Sequence, residues 1–171
     1  MRTFYTILVL FIFVLAKSQN LVPNPSFESF TSCPTAYQQI NRASPWITSS
    51  GFSADYYNSC STSTNVSVPK NLYNANFQYP KNGNGFAGIN TINGIGNDFK
   101  QTISSSLNSG LLNNSYYLCK FYLSNVNCYP YAHNNISLSF TSTLTFSVAC
   151  SCPLNLPMHI YKFGNPVIKD T

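Results

Sequence analysis

Apolar residues in this chain recur at every second position in short runs and are rare at helical spacing. In residues 116–123, Tyr117, Cys119, Phe121 and Leu123 fall on one face of an extended chain, and Tyr116, Leu118, Lys120 and Tyr122 on the other. In residues 136–140, Ile136, Leu138 and Phe140 alternate with Ser137 and Ser139, the pattern of a strand with one wet face. Residues 86–92 and 99–107 also read as strands, the second with Phe99, Gln101 and Ile103 on one side. Gly, Pro, Asn and Ser interrupt every apolar run before ten residues, so no helix is predicted. Asn82-Gly83-Asn84-Gly85, Asn93-Gly94-Ile95-Gly96 and the stretch 107–114 carry turn chemistry, because Gly and Asn accept positive φ cheaply. The expected class is an all-β sandwich with long loops, the longest at 51–81.

Residues 20–34, NLVPNPSFESFTSCP, are read as the opening of the folded part. Pro23 and Pro25 fix φ and supply no N–H, so no helix starts there. The SFESF run that follows is strand-like, with Phe27 and Phe30 as core anchors, Glu28 as a carboxylate and Cys33 as a covalent tether.

The first eighteen of the 171 residues stand apart. Arg2, the apolar run TILVLFIFVLA and the small-x-small pattern Ala16-Lys17-Ser18 make a secretory signal peptide, leaving 19–171 as a single domain with no membrane span after cleavage. The formal charge of +5 falls to +3 when Arg2 and Lys17 are removed. That bias is too mild to point to nucleic acid. Charged residues make up 8% of the chain, and Asn, Ser, Thr and Tyr carry its solvation, which suits an extracellular protein. Six cysteines in such a chain read as disulfides. Cys33 with Cys60 is the first candidate pair and Cys119 with Cys128 a second, whereas Cys150 and Cys152 would point the same way in a strand and are poorly placed to bond each other.

NLVPNPSFE, SCP, the lone Trp46, ADYYNSC, VPKN, FAGI, FKQTIS and YYLCKFYLS follow one another in this order. As an ordered set they resemble the amino-terminal domain of secreted and cell-surface modular proteins of bacteroidete bacteria, over residues 20–140. The resemblance implies a galactose-binding-like jelly roll, the β-sandwich shared with many carbohydrate-binding modules, and a glycan or cell-envelope component as partner. It also implies further strands beyond NPVIKDT, so the sandwich is expected to lack its last strands. In modules of that kind the glutamate closing the opening strand helps hold a structural calcium with backbone carbonyls and an aspartate of the final strand, which makes Glu28 the candidate ligand.

Catalytic arrangements are poorly supported. Glu28, Asp55, Asp98 and Asp170 are the only carboxylates, and a glycoside hydrolase would need Glu28 and Asp55 to flank one bond. Asp55 capping its own loop through hydrogen bonds to backbone N–H groups is the competing reading. His133 and His159 sit in no triad or zinc context, and no Gly-rich loop precedes a helix. The loop aromatics are the better candidates, because a ring packs on the apolar face of a sugar while amides read its hydroxyls. Tyr56, Tyr57, Tyr73 and Tyr79 are the candidate ligand-binding residues, with Phe77, Tyr129 and Tyr131 in similar surroundings and Trp46 read as core. The expected function is a secreted or cell-surface, non-catalytic module that binds carbohydrate or a cell surface. The alternative is a structural or adhesion-supporting spacer in which the loop tyrosines only build small cores.

Overall fold

A computed structural model describes residues 19–49, 51–90, 101–127, 136–142 and 160–162. The expected signal peptide, Cys128, Cys150, Cys152, His133, His159, Tyr129, Tyr131, Asp98, Asp170 and the turn at 93–96 lie outside the described residues. The described chain is built of strands with almost no helix. A single turn of 3-10 helix, Ile40–Arg42, precedes β1 (Ile47–Thr48), β2 (Asp55–Asn58), β3 (Lys70–Asn71), β4 (Asn76–Phe77), β5 (Gly85–Gly88), β6 (Ile103–Ser104), β7 (Ser137–Ser139) and β8 (Ile160–Lys162). These pair antiparallel as β1 with β6, β2 with β5, β3 with β4 and β7 with β8. No helix among the described residues is long and apolar enough to cross a membrane.

The pairing of β2 with β5 is the centre of the fold. Its register sets Tyr56 opposite Ala87 and Tyr57 opposite Phe86, and the two-residue period of a strand sends these pairs to opposite faces. Tyr56 and Ala87 join the core of Ile40, Ala43 and Ala54, against which Phe27, Trp46 and Ile103 also pack. On the other face Tyr57 stacks on Phe86, ring centroids 4.8 Å apart and planes 11° from parallel. All four residues of β2 are therefore buried. Complete burial of Ile40 or the Tyr56 ring contributes on the order of 1.5–3 kcal/mol each.

The opening is not a strand. Asn24 and Phe27 have φ of 44° and 59°, and the segment curls around the Asn24 side chain. Asn24 Nδ2 donates to the carbonyls of Ser29 (2.7 Å) and Ser44 (2.8 Å), its Oδ1 accepts from the Ser29 N–H, and its carbonyl accepts from Trp46 Nε1 at 2.9 Å. A short amide that satisfies so many local backbone groups outcompetes a ladder. Phe27 still reaches the core, with its ring 5.2 Å from Trp46, whereas Phe30 remains exposed and is no core anchor.

The strand expected at 116–123 does not form either. Both of its faces are largely apolar, the pattern of a strand that needs neighbours on each side, and among the described residues it has no ladder partner. Tyr116 and Leu118 are almost fully exposed. The expectation at 136–140 is met by β7, whose Leu138 stands opposite Tyr161 of β8. Residues 86–92 and 99–107 contribute the shorter β5 and β6. Across β1 and β6 the Ser49 hydroxyl lies 2.7 Å from both Thr102 Oγ1 and Ser104 Oγ, a chain of hydroxyls in place of apolar contact.

Cys33 and Cys60 are bonded, with Cα atoms 5.7 Å apart and 27 residues of separation. The bridge ties the opening to the chain just after β2. Cys119 is an exposed thiol, and Cys128, its expected partner, lies outside the described residues. Loop closure over the Cys33–Cys60 separation predicts that the double Cys33→Ser, Cys60→Ser variant loses about 3–4 kcal/mol of stability. Denaturant unfolding of the variant beside the parent checks this, and a loss below about 1 kcal/mol would mean that the opening is held by Asn24 and the core alone.

Candidate functional site

The four candidate tyrosines separate into two pairs. Tyr56 is 0% exposed and Tyr57 6%, so neither offers a ring face to a ligand in solvent; both are core residues. The Tyr56 hydroxyl donates to the Phe27 carbonyl (2.8 Å) and accepts from Asn58 Nδ2 (2.8 Å). Burial pushes this hydroxyl up to about 12, the Asn58 hydrogen bond opposing and the Glu28 charge adding to the shift. Tyr73 and Tyr79 are 73% and 63% exposed and remain available.

Asp55 and Glu28 are each bound to a different part of the chain. Asp55 Oδ1 accepts from the Gln38 N–H at 2.7 Å, and Oδ2 from the Tyr57 hydroxyl at 3.3 Å. Asp55 thus caps a backbone group, of a loop seventeen residues away and not its own. Glu28 Oε1 accepts from the N–H groups of Asn84 (2.6 Å) and Gly85 (2.9 Å), and Oε2 from Asn84 Nδ2 (3.1 Å). It is a clasp between the opening and the turn before β5. Gly83 holds φ +74° in that turn, and a Cβ there would stand 2.4 Å from Glu28 Oε1, so the clasp depends on glycine.

The calcium reading does not fit these contacts. Three N–H donors converge on the Glu28 carboxylate and set partial positive charge where a cation would sit. Calcium takes six to eight oxygens. Among the described residues no three His, Cys, Asp or Glu side chains come together that could hold a metal.

A different cluster forms beyond β2. The hairpin of β3 and β4 turns through Leu72, Tyr73 and Asn74, all left-handed with φ of 49°, 57° and 63°, and Tyr73 stands at its tip. Asn76 Nδ2 donates to Asn71 Oδ1 across the hairpin at 2.8 Å. The segment 122–127 then runs antiparallel to 76–81, bridged by side chains in place of a ladder. Asn127 N–H donates to Asn76 Oδ1 (3.1 Å), Asn127 Nδ2 to the Phe77 carbonyl (3.1 Å), and Ser124 Oγ to Gln78 Oε1 (2.6 Å). Next along, the Lys81 ammonium lies 4.8 Å from the centroid of the Tyr122 ring.

Phe77 and Tyr79 meet edge to face at 5.2 Å, and Lys120 lies 5.1 Å from the Tyr122 centroid. Phe77, Tyr79 and Tyr122 all keep about half or more of their surface in water. The hydrogen bond between Lys120 and Tyr122 raises the lysine and lowers the phenol, and the charge of each partner acts in the same sense. The result is an aromatic ledge with amides and two ammonium groups along it. Tyr79 belongs to the original candidates, whereas Tyr122, Lys81 and Lys120 do not. The alternation at 116–123 put Lys120 and Tyr122 on one face, and the two side chains do meet although no strand forms there. Lys81 shows no such signal.

The chain matches no protein-family model, no curated protein and no solved structure.

Glu28→Ala leaves three N–H donors to find water and is expected to lower stability by about 1–2 kcal/mol, equally in calcium and in chelator. Thermal melts under both conditions check this, and a loss seen only in calcium would restore the metal reading. For Asp55, burial raises the carboxyl above 3.8, with the Gln38 and Tyr57 hydrogen bonds opposing. The folded chain then holds this proton more tightly than the unfolded one. Its contribution to stability is fully present below the unfolded value and is lost as pH rises through the folded value. Asp55→Asn keeps the acceptor for Gln38 and removes the titration. Its melting temperature is expected to equal the parent's at about pH 3 and to exceed it at neutral pH; parallel pH profiles would show that Asp55 contributes nothing to the dependence.

Proposed function

We propose that this chain is a secreted or cell-surface, non-catalytic module of the galactose-binding-like sandwich type that holds carbohydrate on its aromatic ledge. The observation that carries the reading is the exposed Phe77, Tyr79 and Tyr122 set beside the Gln78 and Asn127 amides. Exposed rings lie against the C–H face of a sugar, and neighbouring amides satisfy its hydroxyls. The disulfide supports an oxidising compartment. The separate engagement of Glu28 and Asp55 weighs against hydrolysis of the bound sugar.

A second reading, a spacer that supports adhesion and binds nothing small, draws on the burial of Tyr56 and Tyr57. A glycan array with the full chain separates the two. Carbohydrate binding predicts that Tyr79→Ala and Tyr122→Ala each weaken the best array ligand about three- to tenfold, the weight of a lost ring contact, while leaving the melting temperature unchanged. A blank array from a sample that melts cooperatively would favour the spacer.

A further inference from the structure

The ledge carries more charge than a neutral sugar requires. Lys81 and Lys120 approach one ring, 4.8 Å and 5.1 Å from its centroid, so their ammonium groups are no more than about 10 Å apart, roughly one Debye length at 0.1 M salt. Lys120 is hydrogen-bonded to Tyr122, and Glu28 and Asp55, the only carboxylates among the described residues, are taken up by the N–H groups of Asn84, Gly85 and Gln38. The Tyr122 ring attracts each ammonium without neutralising it.

An anion that meets both ammonium groups gains from each, and the exposed Phe77 and Tyr79 rings, edge to face on the segment that runs into Lys81, suit an anion attached to an apolar face. We infer that the ledge selects polysaccharide built of uronic acids, whose pyranose ring offers a C–H face to Tyr79 or Tyr122 and whose carboxylate is shared by Lys81 and Lys120. The inference rests on the carbohydrate reading above and adds the class of sugar. Catalysis has no part in it: binding neutralises charge, and no bond of the polymer is broken.

Affinity electrophoresis of the full chain through polygalacturonate, its fully methyl-esterified form and dextran sulfate tests this. The expected result is retardation by polygalacturonate that falls at least tenfold on esterification, falls again on raising salt, and exceeds retardation by dextran sulfate at equal charge. Lys81→Gln and Lys120→Gln are each expected to weaken polygalacturonate binding about three- to tenfold. Both side chains lie in water, so unchanged melting temperatures serve as the control on folding. Equal retardation by acid and ester would overturn the inference and leave the carbohydrate reading standing. Equal retardation by dextran sulfate, or lysine variants that bind like the parent, would also overturn it, because charge alone or the rings alone would then account for binding. Retardation by no polysaccharide would overturn both.

Discussion

Burying a tyrosine ring in full removes water from its hydroxyl, and an unpaired hydroxyl in that position costs about 1–3 kcal/mol. Tyr56 meets the constraint by donating to the Phe27 carbonyl, 29 residues away, and accepting from Asn58. Phe27 reaches that place because the opening curls around Asn24. Gly85, opposite Asn58, must stay bare: a Cβ there would stand 2.8 Å from Asn58 Nδ2 and 3.2 Å from the Tyr56 ring. The curled opening, the buried strand and the glycine facing it are thus determined together, and the Glu28 clasp and the Cys33–Cys60 bridge reinforce the same junction from either side.

The tyrosines of one loop-rich region divide by what lies behind them. Tyr56 and Tyr57 belong to a four-residue strand with a partner in β5, and the ladder draws both of its faces inward. Tyr73 and Tyr79 flank β4, a strand of two residues paired with another of two, which is too short to bring a second layer over them. The same residue type therefore builds the core in one place and a wet aromatic surface a few residues later.

That division also explains what could be read in advance. The all-β class, the Cys33–Cys60 bridge, the turn at 82–85 and the strand at 137–139 follow from local chemistry: alternation, glycine tolerance of positive φ, and cysteine context. The failures share another cause. SFESF alternates well enough for a strand, yet one asparagine four residues before Glu28 satisfies the local backbone and bends it away. Residues 116–123 alternate better still, but a ladder needs a partner, and alternation cannot report whether one is present. Burial of Tyr56 was hidden for the same reason, because its depth depends on the register with β5 and on the Phe27 carbonyl. The ledge was legible only in part, since Lys81 and Tyr122 meet through side-chain bridges that leave no period in the sequence.

At the tip of the β3–β4 hairpin three consecutive residues, Leu72, Tyr73 and Asn74, hold left-handed backbone. An L-residue in that region is disfavoured by roughly 1–2 kcal/mol, and glycine would relieve most of it. The hairpin is held instead by two hydrogen bonds from the neighbouring loop, Leu72 N–H to the Asn65 carbonyl and Tyr73 N–H to the Thr64 carbonyl. With the backbone pinned in this way, the direction in which the Tyr73 side chain leaves the molecule is set by main-chain geometry and not by packing. The ring can be exchanged for another without disturbing the fold, so the tip is a position where the chain could change what it displays while keeping how it stands.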